Sequence, residues 1–187
     1  MKKIAIFASG GGSNAQAIIN HFKTNDNIEV ALIVSNDTNA GVIDKAQAEE
    51  IPFYILQKGE LEELEFSDVL IALEIDFIVL AGFLKKIPSD ILEVYPNNIV
   101  NIHPALLPKY GGKGMYGANV HKAVVAAGEK ESGMTIHSVN ANYDEGNTIE
   151  QHKVELLPTD TAEVCAKKVL ELEHKYYAPC IELLLSK

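Results

Sequence analysis

Short, continuously apolar runs alternate with stretches whose apolar positions recur every three to four residues, and this alternation lays out the first half of the chain. Ile4-Ala5-Ile6-Phe7-Ala8 is a β-prone run ending in Ser9-Gly10-Gly11-Gly12-Ser13-Asn14, after which Ala17, Ile18 and Phe22 return at helical spacing. Residues 30–34 form a second apolar run closed by Ser35-Asn36-Asp37; residues 40–50 read as a helix and Pro52-Phe53-Tyr54-Ile55-Leu56 as a third strand. Residues 61–73 have helical period, and residues 77–80 form a buried strand ending at Ala81-Gly82. Ile99-Val100-Asn101-Ile102 is a further strand running into His103-Pro104. Strands apolar on both faces, separated by helices, predict a doubly wound, Rossmann-type α/β domain: a mostly parallel sheet flanked by helices.

The pattern changes after Tyr110. Residues 111–117 hold Gly111, Gly112, Gly114 and Gly117, too many for the interior of an element, and read as a loop. Residues 134–139 and 148–156 are strand-like, and the turn-rich residues 140–147 between them are too few for a crossover helix. These two strands are therefore expected to be antiparallel neighbours, which makes the sheet mixed. Asp160 with Glu163 three residues on predicts a capping box opening a last helix, whose Ala162, Cys165, Val169 and Leu172 share one stripe. With no linker, repeat or low-complexity segment, residues 1–187 read as one domain.

Composition narrows the partners. A net charge of -10 disfavours nucleic acid and anionic membrane, since phosphate backbones are held mainly by clustered Lys and Arg; small molecules are the expected partners. Cys165 and Cys180 have no spacing that suits a disulfide framework or a thiolate zinc site, the histidines form no ligand pattern, and no metal is expected. The apolar run at residues 4–8 is too short for a signal-peptide core or a membrane span, so a cytoplasmic protein is expected. The pattern does not distinguish a monomer from a homodimer.

Three constellations carry candidate chemistry. The turn from Ser9 to Asn14 opens the first helix, where glycines admit an anion to backbone amides and the helix dipole favours it. It is not a dinucleotide fingerprint, because Ala15 takes the sixth position of G-x-G-x-x-G and no acidic residue ends the second strand. The alternative is that Ser13 simply caps the helix with Gln16 completing the box. Asn101 and His103, two apart in a strand, face the same side at its carboxyl end, where open α/β sheets place ligands. An amide donor beside an imidazole suits a tetrahedral oxyanion and a proton transfer. Asp144, in the turn between the antiparallel strands, adds a carboxylate, and no Ser or Cys nucleophile shares these motifs, which points to direct transfer.

Taken together, Ser9-Gly10-Gly11-Gly12-Ser13-Asn14, Ala81-Gly82-Phe83, Asn101-Ile102-His103-Pro104-Ala105-Leu106-Leu107-Pro108-Lys109-Tyr110, Asp144-Glu145-Gly146 and Leu172-Glu173-His174 resemble the folate-dependent glycinamide ribonucleotide formyltransferases of purine synthesis, over nearly the whole chain. The resemblance implies transfer of the formyl group of 10-formyltetrahydrofolate to the amine of glycinamide ribonucleotide by direct attack through a tetrahedral intermediate. It implies that Asn101, His103 and Asp144 are catalytic, with protonated His103 and Asn101 stabilising the oxyanion and Asp144 raising the His103 pKa. Gly11, Gly12, Ser13 and Asn14 would cradle the nucleotide phosphate, and Glu173 would hold the ribose hydroxyls. Leu84, Lys85, Lys86 and Ile87, with Asn140, Ala141, Asn142 and Tyr143, would line the folate site; Pro104, His121 and His137 would support the centre. The chain departs from the family pattern at the adjacent Lys85 and Lys86, expected to attract the glutamate tail of the folate, and at Gly111-Gly112-Lys113-Gly114-Met115-Tyr116-Gly117, where a short Pro-Gly turn is common.

Overall fold

The computed structural model describes residues 1–62 and 64–186. Seven strands form one sheet in the order β3-β2-β1-β4-β5-β6-β7: β1 (Lys2–Phe7), β2 (Ile28–Ser35), β3 (Phe53–Ile55), β4 (Phe77–Leu80), β5 (Ile99–His103), β6 (Glu131–Ser138) and β7 (Thr148–Glu155). The first five pair in parallel, β5 pairs antiparallel with β6, and β6 with β7, as the change of pattern after Tyr110 predicts. The fold is thus α/β with a mixed, mostly parallel sheet.

Period-two alternation distributes each strand between two cores. Ile4 and Ile6 join Val79, Val100 and Ile102 beneath α1 (Ser13–Phe22), α2 (Gly41–Ala48), α5 (Ala118–Ala126) and α6 (Ala162–Leu185). Ala5 and Phe7 join Ile78, Leu80 and Ile99 on the opposite face, with Phe66 and Leu70 of α3 (Leu64–Ala72) and Ile91 of α4 (Ser89–Val94). Burying both faces explains why β1 and β4 carry no polar alternation.

Four features differ from the sequence reading. Helices α4 and α5 escape it: α4 has six residues, too few for periodicity, and α5 buries only Val120, His121 and Val124 between glycine-rich segments. The Asp160–Glu163 capping box is not formed; Thr161 is the cap, its hydroxyl accepting from the Val164 amide at 3.4 Å, while Asp160 accepts from Lys168 Nζ at 2.6 Å and the Leu157 amide at 2.9 Å. Ser13 is not a cap either. Gly12 holds that position at φ 71 with no side-chain cap bond, and the Gln16 amide turns to Asn20 and Glu49. A Cβ at Gly12 would lie 2.7 Å from Val42 Cβ, so the glycine is required by both φ and the close approach of α2. Among the described residues no helix is long and apolar enough to cross a membrane.

Candidate active site

Because β1 lies between β2 and β4, the chain reverses its direction of winding there, and the crevice at the carboxyl ends of β1 and β4 is where an open α/β sheet receives a ligand. Ser9 ties this point together: its amide donates to the Gly82 carbonyl at 3.1 Å, and its hydroxyl accepts from the Leu84 amide at 2.9 Å. Tyr177 of α6, fully buried, donates its hydroxyl to the Leu80 carbonyl at 2.9 Å and holds the end of β4 from the other side. The crevice opens into a cavity of about 740 Å³ lined by the ends of β4, β5 and β6, the Gly112–Gly117 loop, α5 and α6.

Four side chains converge in it. His103, 3% exposed, places Nε2 2.8 Å from the Tyr110 carbonyl and Nδ1 3.5 Å from Asp144 Oδ2. A carbonyl only accepts, so Nε2 carries the proton and Nδ1 of the neutral ring is bare. His137, opposite Asn101 in the β5–β6 register, donates Nδ1–H to the Ser138 carbonyl at 2.8 Å, and its Nε2 accepts from Asn101 Nδ2 at 3.0 Å. That bond uses one Asn101 N–H and leaves the other for a ligand. Asp144 Oδ1 lies 3.6 Å from His137 Nε2, and Oδ2 accepts from the Gly112 amide at 2.8 Å.

Burial is the largest influence on both ionisable partners, and it is overcome in only one. It pushes His103 below its ordinary 6.5, against the opposing pull of Asp144 and the Tyr110 carbonyl. The expectation that Asp144 holds His103 protonated is therefore corrected: desolvation of the ring wins, and the resting imidazole is neutral at pH 7. For Asp144 burial acts upward, but the His137 and His103 rings in their protonated forms and the Gly112 amide outweigh it and hold the carboxyl below 3.8. Deeper along α6, Glu173 is 7% exposed and accepts from Asn14 Nδ2 at 2.7 Å; burial, only partly offset by that bond, pushes it up to about 6.

Residues 2–181 match the family described as Formyl transferase. The chain belongs to the formyl transferase family. It is 43% identical over 189 residues to phosphoribosylglycinamide formyltransferase, chloroplastic, of Arabidopsis thaliana, covering 96% of this chain and 64% of that protein. The Bacillus subtilis phosphoribosylglycinamide formyltransferase is 36% identical, with 99% of this chain and 95% of that one covered. The solved structure of phosphoribosylglycinamide formyltransferase from Bacillus halodurans superposes with a TM-score of 0.90 at 35% identity, over 100% of this chain and 96% of that one. The chain spans 64% and 61% of the length of the two chloroplastic relatives it matches, from Arabidopsis thaliana and Vigna unguiculata.

Within this formyl transferase fold the residues singled out from sequence fall into two groups. Asn14, Leu84, Lys85, Lys86, Ile87, Asn101, His103, Pro104, His121, His137, Asn140, Asn142, Tyr143, Asp144 and Glu173 all line the cavity. Gly11, Gly12, Ser13 and Ala141 do not; Gly11 and Ser13 stand exposed at the start of α1, outside the lining. His121 is buried on α5 with Nδ1 3.6 Å from Cys165 Sγ. Sequence reasoning missed the Gly112 amide, the Tyr110 carbonyl and the apolar wall of Met115, Val139 and Leu170. The first two are backbone groups with no residue-type signal. Among the described residues no group of three or more His, Cys, Asp or Glu is arranged as metal ligands would be.

Proposed function

We propose that the chain transfers the formyl group of 10-formyltetrahydrofolate to the amine of glycinamide ribonucleotide, a step of purine synthesis. The observation that carries this reading is the convergence of Asn101, His103 and Asp144 on one cavity without a nucleophilic Ser or Cys. Apolar Leu84, Ile87, Met115 and Val139 in the lining suit the ring system of the folate. Asn14 and Glu173, a donor and an acceptor side by side, suit the ribose. The exposed amides opening α1 suit the phosphate.

As the amine attacks the formyl carbon, the formyl oxygen gains negative charge, and the free Asn101 N–H donates to it. The amine, now positive, must lose a proton, and the bare Nδ1 of neutral His103, beside the Asp144 carboxylate, takes it. Proton uptake makes His103 an imidazolium held between the Tyr110 carbonyl and the Asp144 carboxylate, which offsets the burial that keeps the resting ring neutral. The same proton is then delivered to the departing folate nitrogen, leaving His103 neutral for the next turnover.

The test is formyl transfer measured with glycinamide ribonucleotide, with its unphosphorylated nucleoside and with water as acceptors. Efficient transfer only to the ribonucleotide supports the reading. Equal formyl release to water would make the chain a formyltetrahydrofolate hydrolase and overturn it.

A further inference from the structure

The segment Tyr110-Gly111-Gly112 touches both members of the central pair. Its first carbonyl faces His103 Nε2 at 2.8 Å, and its last amide donates to Asp144 Oδ2 at 2.8 Å. Position 111 is closely packed: a Cβ there would lie 2.5 Å from Leu107 Cδ2 and 3.2 Å from Asp144 Cβ. In this turn Tyr110 sits at φ 57, a left-handed conformation that disfavours a bulky residue. Something outside the turn must hold it. The Tyr110 ring packs against the core, and its hydroxyl donates to Glu129 Oε1 at 2.9 Å. Glu129 follows the left-handed Gly128 that closes α5, its own amide donating to the Val124 carbonyl, and leads directly into β6. The carboxylate is thus fixed to the same strand that pairs with β5 and carries His137. Lys109 Nζ also reaches Glu129 at 2.8 Å, but as an exposed ion pair it adds little.

We propose that Glu129, through the Tyr110 hydroxyl, is a positioning residue for the reaction: it locks the turn whose carbonyl selects the Nε2–H tautomer of His103 and whose amide aims Asp144. This rests on the reading of His103 as the proton carrier. Without the clamp the Tyr110 carbonyl drifts, the two tautomers of His103 mix, and only the one with a bare Nδ1 toward Asp144 accepts the substrate proton. Glu129 lies outside the substrate cavity, so its loss acts on turnover and not on binding.

The experiment compares Glu129→Ala, Glu129→Gln and Tyr110→Phe with the parent. Readouts are kcat, the KM of each substrate, and the imidazole ¹⁵N signals of His103, assigned by their absence from His103→Ala. Losing this partly exposed hydrogen bond corresponds to a fall of about two- to tenfold in kcat for Glu129→Ala and Tyr110→Phe, with both KM values within twofold. In these variants the His103 signals should move from one protonated and one bare nitrogen toward an average. Glu129→Gln keeps a carbonyl oxygen for the Tyr110 hydroxyl and should restore both. Unchanged His103 signals, a loss carried by KM, or a Gln variant as impaired as the Ala variant would each overturn the proposal. Should Glu129→Ala not fold, Tyr110→Phe decides alone, since it removes one oxygen and keeps the packed ring. Near-normal turnover in His103→Ala would instead sink the proton-carrier reading itself, whatever Glu129 does.

Discussion

Replacing Glu173 with Gln should make the protein more stable and a poorer enzyme. Burial pushes the Glu173 carboxyl from 4.5 up to about 6, so the folded state holds its proton more tightly than the unfolded chain does. The stabilisation from that proton is complete below pH 4.5 and is lost as pH rises through 6. At about 1.4 kcal/mol per pH unit the loss comes to about 2 kcal/mol. The Gln amide oxygen can accept from Asn14 Nδ2 as the carboxylate does at 2.7 Å. Its NH₂ can also donate to Asn14 Oδ1, which is buried without a hydrogen-bond partner. For a chain of this length about 2 kcal/mol raises Tm by about 4–8 °C at pH 8, and the gain should vanish at pH 4. If Glu173 holds the ribose as proposed, the functional cost is its charged acceptor, worth about 1.5–3 kcal/mol, or about 10- to 100-fold in the KM of the ribonucleotide. Calorimetric melting at both pH values, with steady-state kinetics at pH 8, tests the argument. A variant no more stable than the parent at pH 8, or stabilised equally at pH 4, would refute the burial reasoning; an unchanged KM would remove Glu173 from the ribose site.

Asp144→Asn keeps shape but removes the charge that in the proposed mechanism holds the His103 imidazolium, so turnover in steady-state assays should fall by on the order of 10² or more with ribonucleotide binding retained. Combined with His103→Ala the losses should be non-additive, and additive losses would reject the coupled pair. Gly12→Ala places a Cβ 2.7 Å from Val42 at φ 71 and should destabilise by about 1–3 kcal/mol in denaturant titration; an unchanged midpoint would show that the turn relaxes freely. Activity should survive exhaustive chelation, and a loss restored by zinc or magnesium would overturn the metal-free reaction.

Asn101 and His103 were legible because strand alternation and the carboxyl-end rule need only local sequence: two apart in β5, they reach the same cavity. Asp144 was legible as a carboxylate in a turn, but its approach to His103 depends on β6 pairing with β5. The role of His137 depends on that same register. It sits opposite Asn101 and fixes the amide by accepting from it, a relation that no spacing along the chain encodes. The charge state of His103 is not legible in the sequence, for a physical reason. Sequence identifies a carboxylate neighbour, which raises an imidazole pKa, but not the burial that lowers it further, and here burial wins. Tyr110 and Gly112 act through main-chain atoms, and the glycine-rich composition signalled only a loop where the structure places a turn bridging His103 and Asp144.

The order of exposure along the site bears on how a chain of net charge -10 accommodates an anionic substrate. Gly11 and Ser13, at the amino end of α1, are exposed; Asn14 and Glu173 come next within the cavity; His103 is nearly inaccessible. A ribonucleotide bound in the proposed sense has its phosphate, ribose and amine in that same sequence. The phosphate then stays near solvent, where a helix dipole and backbone amides suffice and little desolvation is incurred. The reacting amine alone enters the region where burial keeps His103 neutral and ready to take a proton. Glu173, between the two, can remain partly protonated near pH 6, which lessens its repulsion of the phosphate while the carboxylate form is still available to the ribose. On this arrangement the ratio of the ribonucleotide KM to the nucleoside KM should rise between pH 6 and 8 more in the parent than in Glu173→Gln, where no carboxylate forms at that position. A ratio that changes alike in the parent and in Glu173→Gln would mean that Glu173 and the phosphate do not sense one another.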